Sequence, residues 1–149
     1  MDSRTLYPSQ VYGLGRVFLD FSFLTNGNTS PLLSTVQGVT AGSGTAPPLP
    51  VIASITRTGA GVLVVQLSSA EKFNKVITAY VDLDDTPNDG AYATIKSVAN
   101  EGSATAGIAF TITTRAGATT TATDFGTGGT GAARAVYVSL CLRNTTAGK

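Results

Sequence analysis

Apolar and polar side chains alternate along most of this chain with a period of two, the spacing that a half-buried β-strand imposes. The pattern is clearest over residues 54–67. Ala53, Ile55 and the stem of Arg57 fall on one face, with Ser54 and Thr56 on the other. After Gly59-Ala60-Gly61 comes Val62-Leu63-Val64-Val65-Gln66-Leu67, an apolar run of high strand propensity. Two such runs joined by a short Gly-containing link predict a hairpin. Arg16–Leu24 predicts another strand, with Val17, Leu19, Phe21 and Phe23 on one side. Phe18 interrupts its polar side, which predicts cover on both faces. Further strands are predicted over residues 51–57, 61–67, 76–83, 92–98, 108–114 and 133–143, with a less regular one over 32–39.

Between these runs the chain carries turn and breaker signals. Thr25-Asn26-Gly27-Asn28 predicts a turn, and residues 69–74 one helical turn. Gly42-Ser43-Gly44-Thr45-Ala46-Pro47-Pro48-Leu49-Pro50 reads as a linker, flexible at its start and stiff at its end. The Gly/Thr-rich residues 116–131 read as a large excursion, exposed or held by a neighbour. Strands at this density predict an all-β protein, an antiparallel β-sandwich or jelly-roll-like domain. The predicted organisation is an N-terminal arm with one or two strands over 1–46, a Pro-rich junction over 47–50, and the sandwich over 51–149.

Composition narrows the function. Hydrophobic residues make up 42% of the 149, enough for a packed core in one domain. Charged residues make up only 13%, against about 25% in an average soluble domain, and the net charge is +1. A polar but weakly charged surface favours association, so a subunit of an assembly is expected before a free monomer. The ten Lys and Arg lie singly along the sequence, with no basic stripe interleaved with aromatics. Nucleic acid is therefore not an expected partner. No window approaches 18 uninterrupted apolar residues, and Met1-Asp2-Ser3-Arg4 does not open a secretory signal. The expectation is a chain made and used in the cytoplasm or in something assembled there, without a membrane partner.

Candidate chemistry is sparse. There is no His, which removes the commonest general base and metal ligand, and Cys141 is the single thiol, set among alternating apolar residues of a predicted strand. Residues 82–90 gather four aspartates. Counted from Asp84, a calcium loop would need its glycine at Asp89, but Gly90 comes one residue late and no Glu closes the site. Turn chemistry accounts better for Asp-Thr-Pro and Asn-Asp-Gly. Gly126-Thr127-Gly128-Gly129-Thr130-Gly131 lacks the Lys and the following helix of a phosphate loop. Glu71 and Glu101, the only glutamates, lie in separate connections, so no carboxylate pair for glycoside hydrolysis is indicated. No catalytic residue, metal or cofactor is expected, and the chain does not read as an enzyme.

The arm is different. Tyr7, Pro8, Val11, Tyr12 and Leu14 put aromatic and apolar groups on an extended segment suited to adding a strand to an open sheet edge. Tyr7, Val11, Tyr12 and Leu14 are the residues expected to contact a partner or a neighbouring copy.

Ser54-Ile55-Thr56-Arg57-Thr58-Gly59-Ala60-Gly61-Val62 and Ala135-Val136-Tyr137-Val138-Ser139-Leu140-Cys141-Leu142-Arg143-Asn144 together resemble small virion proteins of tailed bacteriophages, in particular capsid decoration (cement) proteins. The likeness covers about residues 51–145 in two blocks with a divergent middle. It implies a β-sandwich or jelly-roll-like subunit, a homotrimer on the outer capsid surface, with the major capsid protein as partner and shell stabilisation as function. A tail, baseplate or head-fibre component, host- or glycan-binding, is the rival of the same build; aromatics exposed in the loops would favour it, and the 116–131 excursion offers only Phe125. A hydrolase is the rival from another class.

Overall fold

A computed structural model of the chain describes residues 10–13 (backbone), 16–42, 50–69, 73–86, 88–103 and 105–143. Eight strands follow one another: β1 Gln10–Gly13, β2 Arg16–Leu24, β3 Ile52–Gly59, β4 Val62–Leu67, β5 Lys75–Leu83, β6 Tyr92–Ala99, β7 Ala109–Arg115 and β8 Ala135–Arg143. They form two antiparallel four-stranded sheets, ordered β1-β2-β8-β5 and β3-β4-β7-β6. The chain is thus a β-sandwich. Pairs β1–β2, β3–β4 and β6–β7 are neighbours within a sheet, and the remaining connections cross between sheets.

The core forms because each strand's alternation sends its apolar set inward. Val17, Leu19, Phe21 and Phe23 of β2 pair in register with Leu142, Leu140, Val138 and Val136 of β8, and all eight are buried. From the second sheet come Leu63, Val65 and Leu67 of β4 with Phe110 and Ile112 of β7. The predicted β3–β4 hairpin is present, with Ala60 and Gly61 between Gly59 and Val62. Strict alternation fails in β3, where a bulge between Ile52 and Ser54 lets both Ile52 and Ile55 enter the core.

Three expectations change. The sandwich does not start at residue 51: β2 lies inside the first sheet, bonded to β1 and β8, because its four buried apolar residues have no other place to go. Phe18, expected to be covered, is 44% exposed. Residues 32–39 form a 3-10 turn at Leu33–Thr35 and a single bridge from Gln37 to Ser22. There the Thr35 hydroxyl donates to Leu32 O, a local bond that competes with strand pairing. Residues 116–131 are mostly exposed, as expected, but Phe125 is 1% exposed and anchors them to the sandwich, where Thr123 N donates to Thr114 O. Residues 70–72 of the predicted turn at 69–74, and linker residues 43–49, lie outside the described residues.

From the strand directions, residues 25–30, 60–61, 84–86, 88–91 and 116–134 meet at one end of the sandwich. Residues 40–42, 50–51, 68–69, 73–74, 100–103 and 105–108 meet at the other.

Candidate binding surfaces

The acidic residues that suggested chemistry are committed to holding loops. Arg134 is buried, its ring of contacts made by Asp84 O at 3.1 Å, the Asp89 carboxylate at both oxygens, and Asp85 at 3.9 Å. Its guanidinium also lies over the Phe125 ring, 4.8 Å from the centroid. Within 82–90, Asp84 accepts from Thr86 N, Asp85 from Asp89 N and Gly90 N, and Asp89 from Ala91 N. The Arg134 hydrogen bonds hold the Asp89 carboxyl down to about 2, and the Thr86 bonds lower that of Asp84. The segment is a turn clamped by an arginine. Among the described residues no group of three or more His, Cys, Asp and Glu is placed to hold a metal ion.

A second clamp joins the β3–β4 turn to the Gly-rich loop. Asp124 accepts from Arg57 Nε at 3.0 Å, Arg57 Nη2 at 2.7 Å and Gly61 N at 2.7 Å. Those bonds, the arginine's first, lower the Asp124 carboxyl below its ordinary range. Glycines on both sides of the contact between this loop and the 26–28 turn, Gly126 and Gly27, let backbone lie on backbone. A Cβ on Gly27 would sit 1.8 Å from Thr127 O, and Gly27 N donates to Phe125 O at 2.8 Å. The loop therefore packs on the 26–28 turn. Glu101 caps the start of β5 by accepting from Val76 N, and Glu71 lies outside the described residues.

Of the four arm residues, Tyr7 and Leu14 lie outside the described residues. The backbones of Val11 and Tyr12 belong to β1, opposite Phe18 and Val17, and their side chains lie outside the description. The segment does add a strand to a sheet, its own chain's first sheet. It stands there at the edge. The other edges are covered or adjoined: β5 and β6 lie against each other, and the start of β3 bonds residues 40–42.

The outer face of the first sheet carries two features that sequence order hides. Arg16, Arg143 and Lys75 form one cross-strand row, all exposed. They are far apart in sequence, so they read there as scattered. Two rows further along lies an open groove of about 430 Å³. Its floor and one wall come from the rows Asp20–Ser139–Tyr80 and Ser22–Tyr137. Gln37 and Gly38 form the opposite wall, tied by Gln37 N to Ser22 O at 2.9 Å and Ser22 N to Gln37 O at 3.0 Å. Tyr80 is 63% and Tyr137 51% exposed. The Ser139 hydroxyl donates to the Asp20 carboxylate, and Tyr80 OH to Asp82 at 3.4 Å. The sequence signal for this groove is an aromatic on the outward parity of two strands; aromatics sought only in loops lead to Phe125, which is buried.

Cys141 lies on the same face, buried between Phe18 and Thr78 in the register. Among the described residues no helix is long and apolar enough to cross a membrane. No family model, no curated protein and no solved structure matches the chain.

Proposed function

We propose that this chain is a structural virion protein, a capsid decoration (cement) subunit that binds the outer surface of a phage capsid and stabilises the shell by adhesion. The observation that carries the proposal is the edge position of β1 among the described strands of the first sheet, together with the apolar and aromatic arm upstream of it in sequence. An edge of unpaired backbone groups is a template for strand addition, with backbone hydrogen bonds supplying affinity and alternate side chains specificity. Tyr7, Val11, Tyr12 and Leu14 are the contact residues, and the major capsid protein is the partner. Further support comes from the body: its paired carboxylates clamp loops, and its low charge suits close packing among copies, for which the phage resemblance implies a trimer. Many symmetric copies would multiply individually weak contacts.

Deleting residues 1–15 tests this. The truncated protein is expected to keep its β-sheet circular dichroism and to lose co-sedimentation with purified shells. Undiminished binding by the folded truncation refutes the arm as the adhesive element.

A further inference from the structure

We propose that the groove between Tyr80, Tyr137 and Gln37 is a binding site for a neutral sugar ring. The inference is independent of the shell-binding role, since docking along the β1 edge leaves the outer face of the first sheet open, and a capsid or a tail subunit would carry the site equally.

Three observations fix the ligand class. The first is the pair of tyrosines. Tyr80 stands opposite Ser139 and Tyr137 opposite Asp82, so the two are diagonal neighbours on adjacent strands, about 7–8 Å apart in such a pairing. One pyranose spans that distance. Its C–H faces pack on aromatic rings, and its rim reaches hydroxyl groups, the amphipathic match that Tyr offers at binding surfaces. Both rings are more than half exposed, and neither is used by the core.

The second is the polar set around them. Asp20 supplies a carboxylate acceptor, Gln37 an amide with both donor and acceptor, and Ser22 and Ser139 supply hydroxyls. A polyol needs such mixed donors and acceptors at several points. A volume of about 430 Å³ lies within the range of small-ligand sites, about 300–1,000 Å³.

The third is charge. Among the described residues, the only charged side chain lining the groove is Asp20, with Asp82 beside Tyr80, and no Lys or Arg lines it. Anionic sugars and phosphates are repelled here; the cations of this face stand two rows away at Arg16, Arg143 and Lys75. A guanidinium, which pairs best with both oxygens of one carboxylate, is the less suitable partner: Ser139 donates to one Asp20 oxygen, leaving the other for a single hydroxyl, and Leu83 N and Tyr80 OH donate to the two Asp82 oxygens.

The experiment uses the full chain, isotope-labelled, titrated with the methyl glycosides of glucose, galactose, mannose and N-acetylglucosamine. N-acetylneuraminic acid and argininamide serve as the anionic and cationic comparators. A site this open is expected to bind a single ring in the millimolar range. At least one neutral glycoside should give saturation transfer and shift the amides of Ser22, Tyr80, Tyr137 and Ser139. Tyr137→Ala should weaken it at least tenfold with an unchanged melting temperature. If that variant does not fold, the amide map on the unaltered protein decides. The proposal is overturned if no neutral glycoside binds in that range, if shifts map elsewhere, if folded Tyr137→Ala binds undiminished, or if argininamide or the anionic sugar occupies the groove in preference. Shell co-sedimentation enters none of these outcomes, so the two proposals fail separately.

Discussion

Replacing Asp124 by Ala should cost the protein about 2–3 kcal/mol. The carboxylate is 12% exposed and accepts three hydrogen bonds, two from Arg57 and one from Gly61 N. Hydrogen bonds to charged groups are worth about 1.5–3 kcal/mol each, and removing the shared acceptor strands its donors. Cutting one partner from a fully buried ion pair costs about 3–5 kcal/mol. Here the Arg57 side chain is 24% exposed, so its guanidinium regains some water and the lower figure applies. In a chain of 149 residues each kcal/mol moves the melting temperature by about 2–4 °C, so a fall of about 5–10 °C is expected. Urea denaturation of Asp124→Ala, Arg57→Met and the double variant isolates the pair, with a coupling of about 1–2 kcal/mol expected. Methionine retains the packing of the arginine stem. Asp124→Asn, which still offers Gly61 N an acceptor, should fall between the parent and the alanine variant. A cost for Asp124→Ala below about 0.5 kcal/mol, the range of an ordinary surface change, refutes the clamp, as does strict additivity.

Two further outcomes follow from the same end of the sandwich. Gly27→Ala puts a Cβ 1.8 Å from Thr127 O at a φ of +59°, whereas Gly131→Ala meets nothing within 4 Å at a φ of +62°. Both bear the left-handed backbone cost of about 1–2 kcal/mol, so a larger loss at position 27, read by urea midpoint, measures the backbone contact alone. The second concerns acid. With the folded Asp89 held at about 2 against an ordinary 3.8, the unfolded chain binds more protons between those values, so stability at Asp89 is complete above about pH 4 and is lost as pH falls towards 2. Urea midpoints measured from pH 5 to 2 should fall less steeply for Asp89→Asn than for the parent; equal slopes refute the Arg134 clamp.

Strand existence was legible wherever alternation was strict. Arg16–Leu24 has the bounds expected from Val17, Leu19, Phe21 and Phe23, because burying those four requires a strand and nothing in the segment competes. Residues 32–39 were misread because Ser34 and Thr35 offer side-chain hydroxyls near an apolar pattern, and the Thr35 hydroxyl bonds locally. The bulge in β3 left no mark in the pattern, since Ala53 and Ser54 are both small and both half-buried. The groove was illegible for another reason. Asp20, Tyr80 and Ser139 become neighbours only when β8 enters between β2 and β5, a long-range pairing that period-two alternation cannot encode. The long loop is largely exposed, as its solvated composition implies. Its anchoring was illegible, because it rests on one aromatic, Phe125, and on glycines that admit a neighbouring backbone.

The few charges of this chain are unevenly spent, and that bears on what its surfaces do. Asp84, Asp85, Asp89, Asp124, Arg57 and Arg134 are drawn into the two clamps at one end, where they interlock three connections. The outer face of the second sheet carries Thr56, Thr94, Thr111 and Val64 together with Arg115, which bonds Thr94 and lies over Tyr92, and the first keeps one basic row and the Asp20 groove. A sheet face with few ion pairs can meet another surface without desolvating them, the term that often cancels the gain from buried charge. Such contacts gain little from electrostatic steering, so their strength depends on area and on the number of copies. Asp20 differs from the clamp residues: this carboxylate, two rows from the basic row, is bonded to one serine beside two exposed tyrosines and has no part in either clamp. A charge left outside both clamps in that setting fits recognition of a ligand better than packing of a subunit.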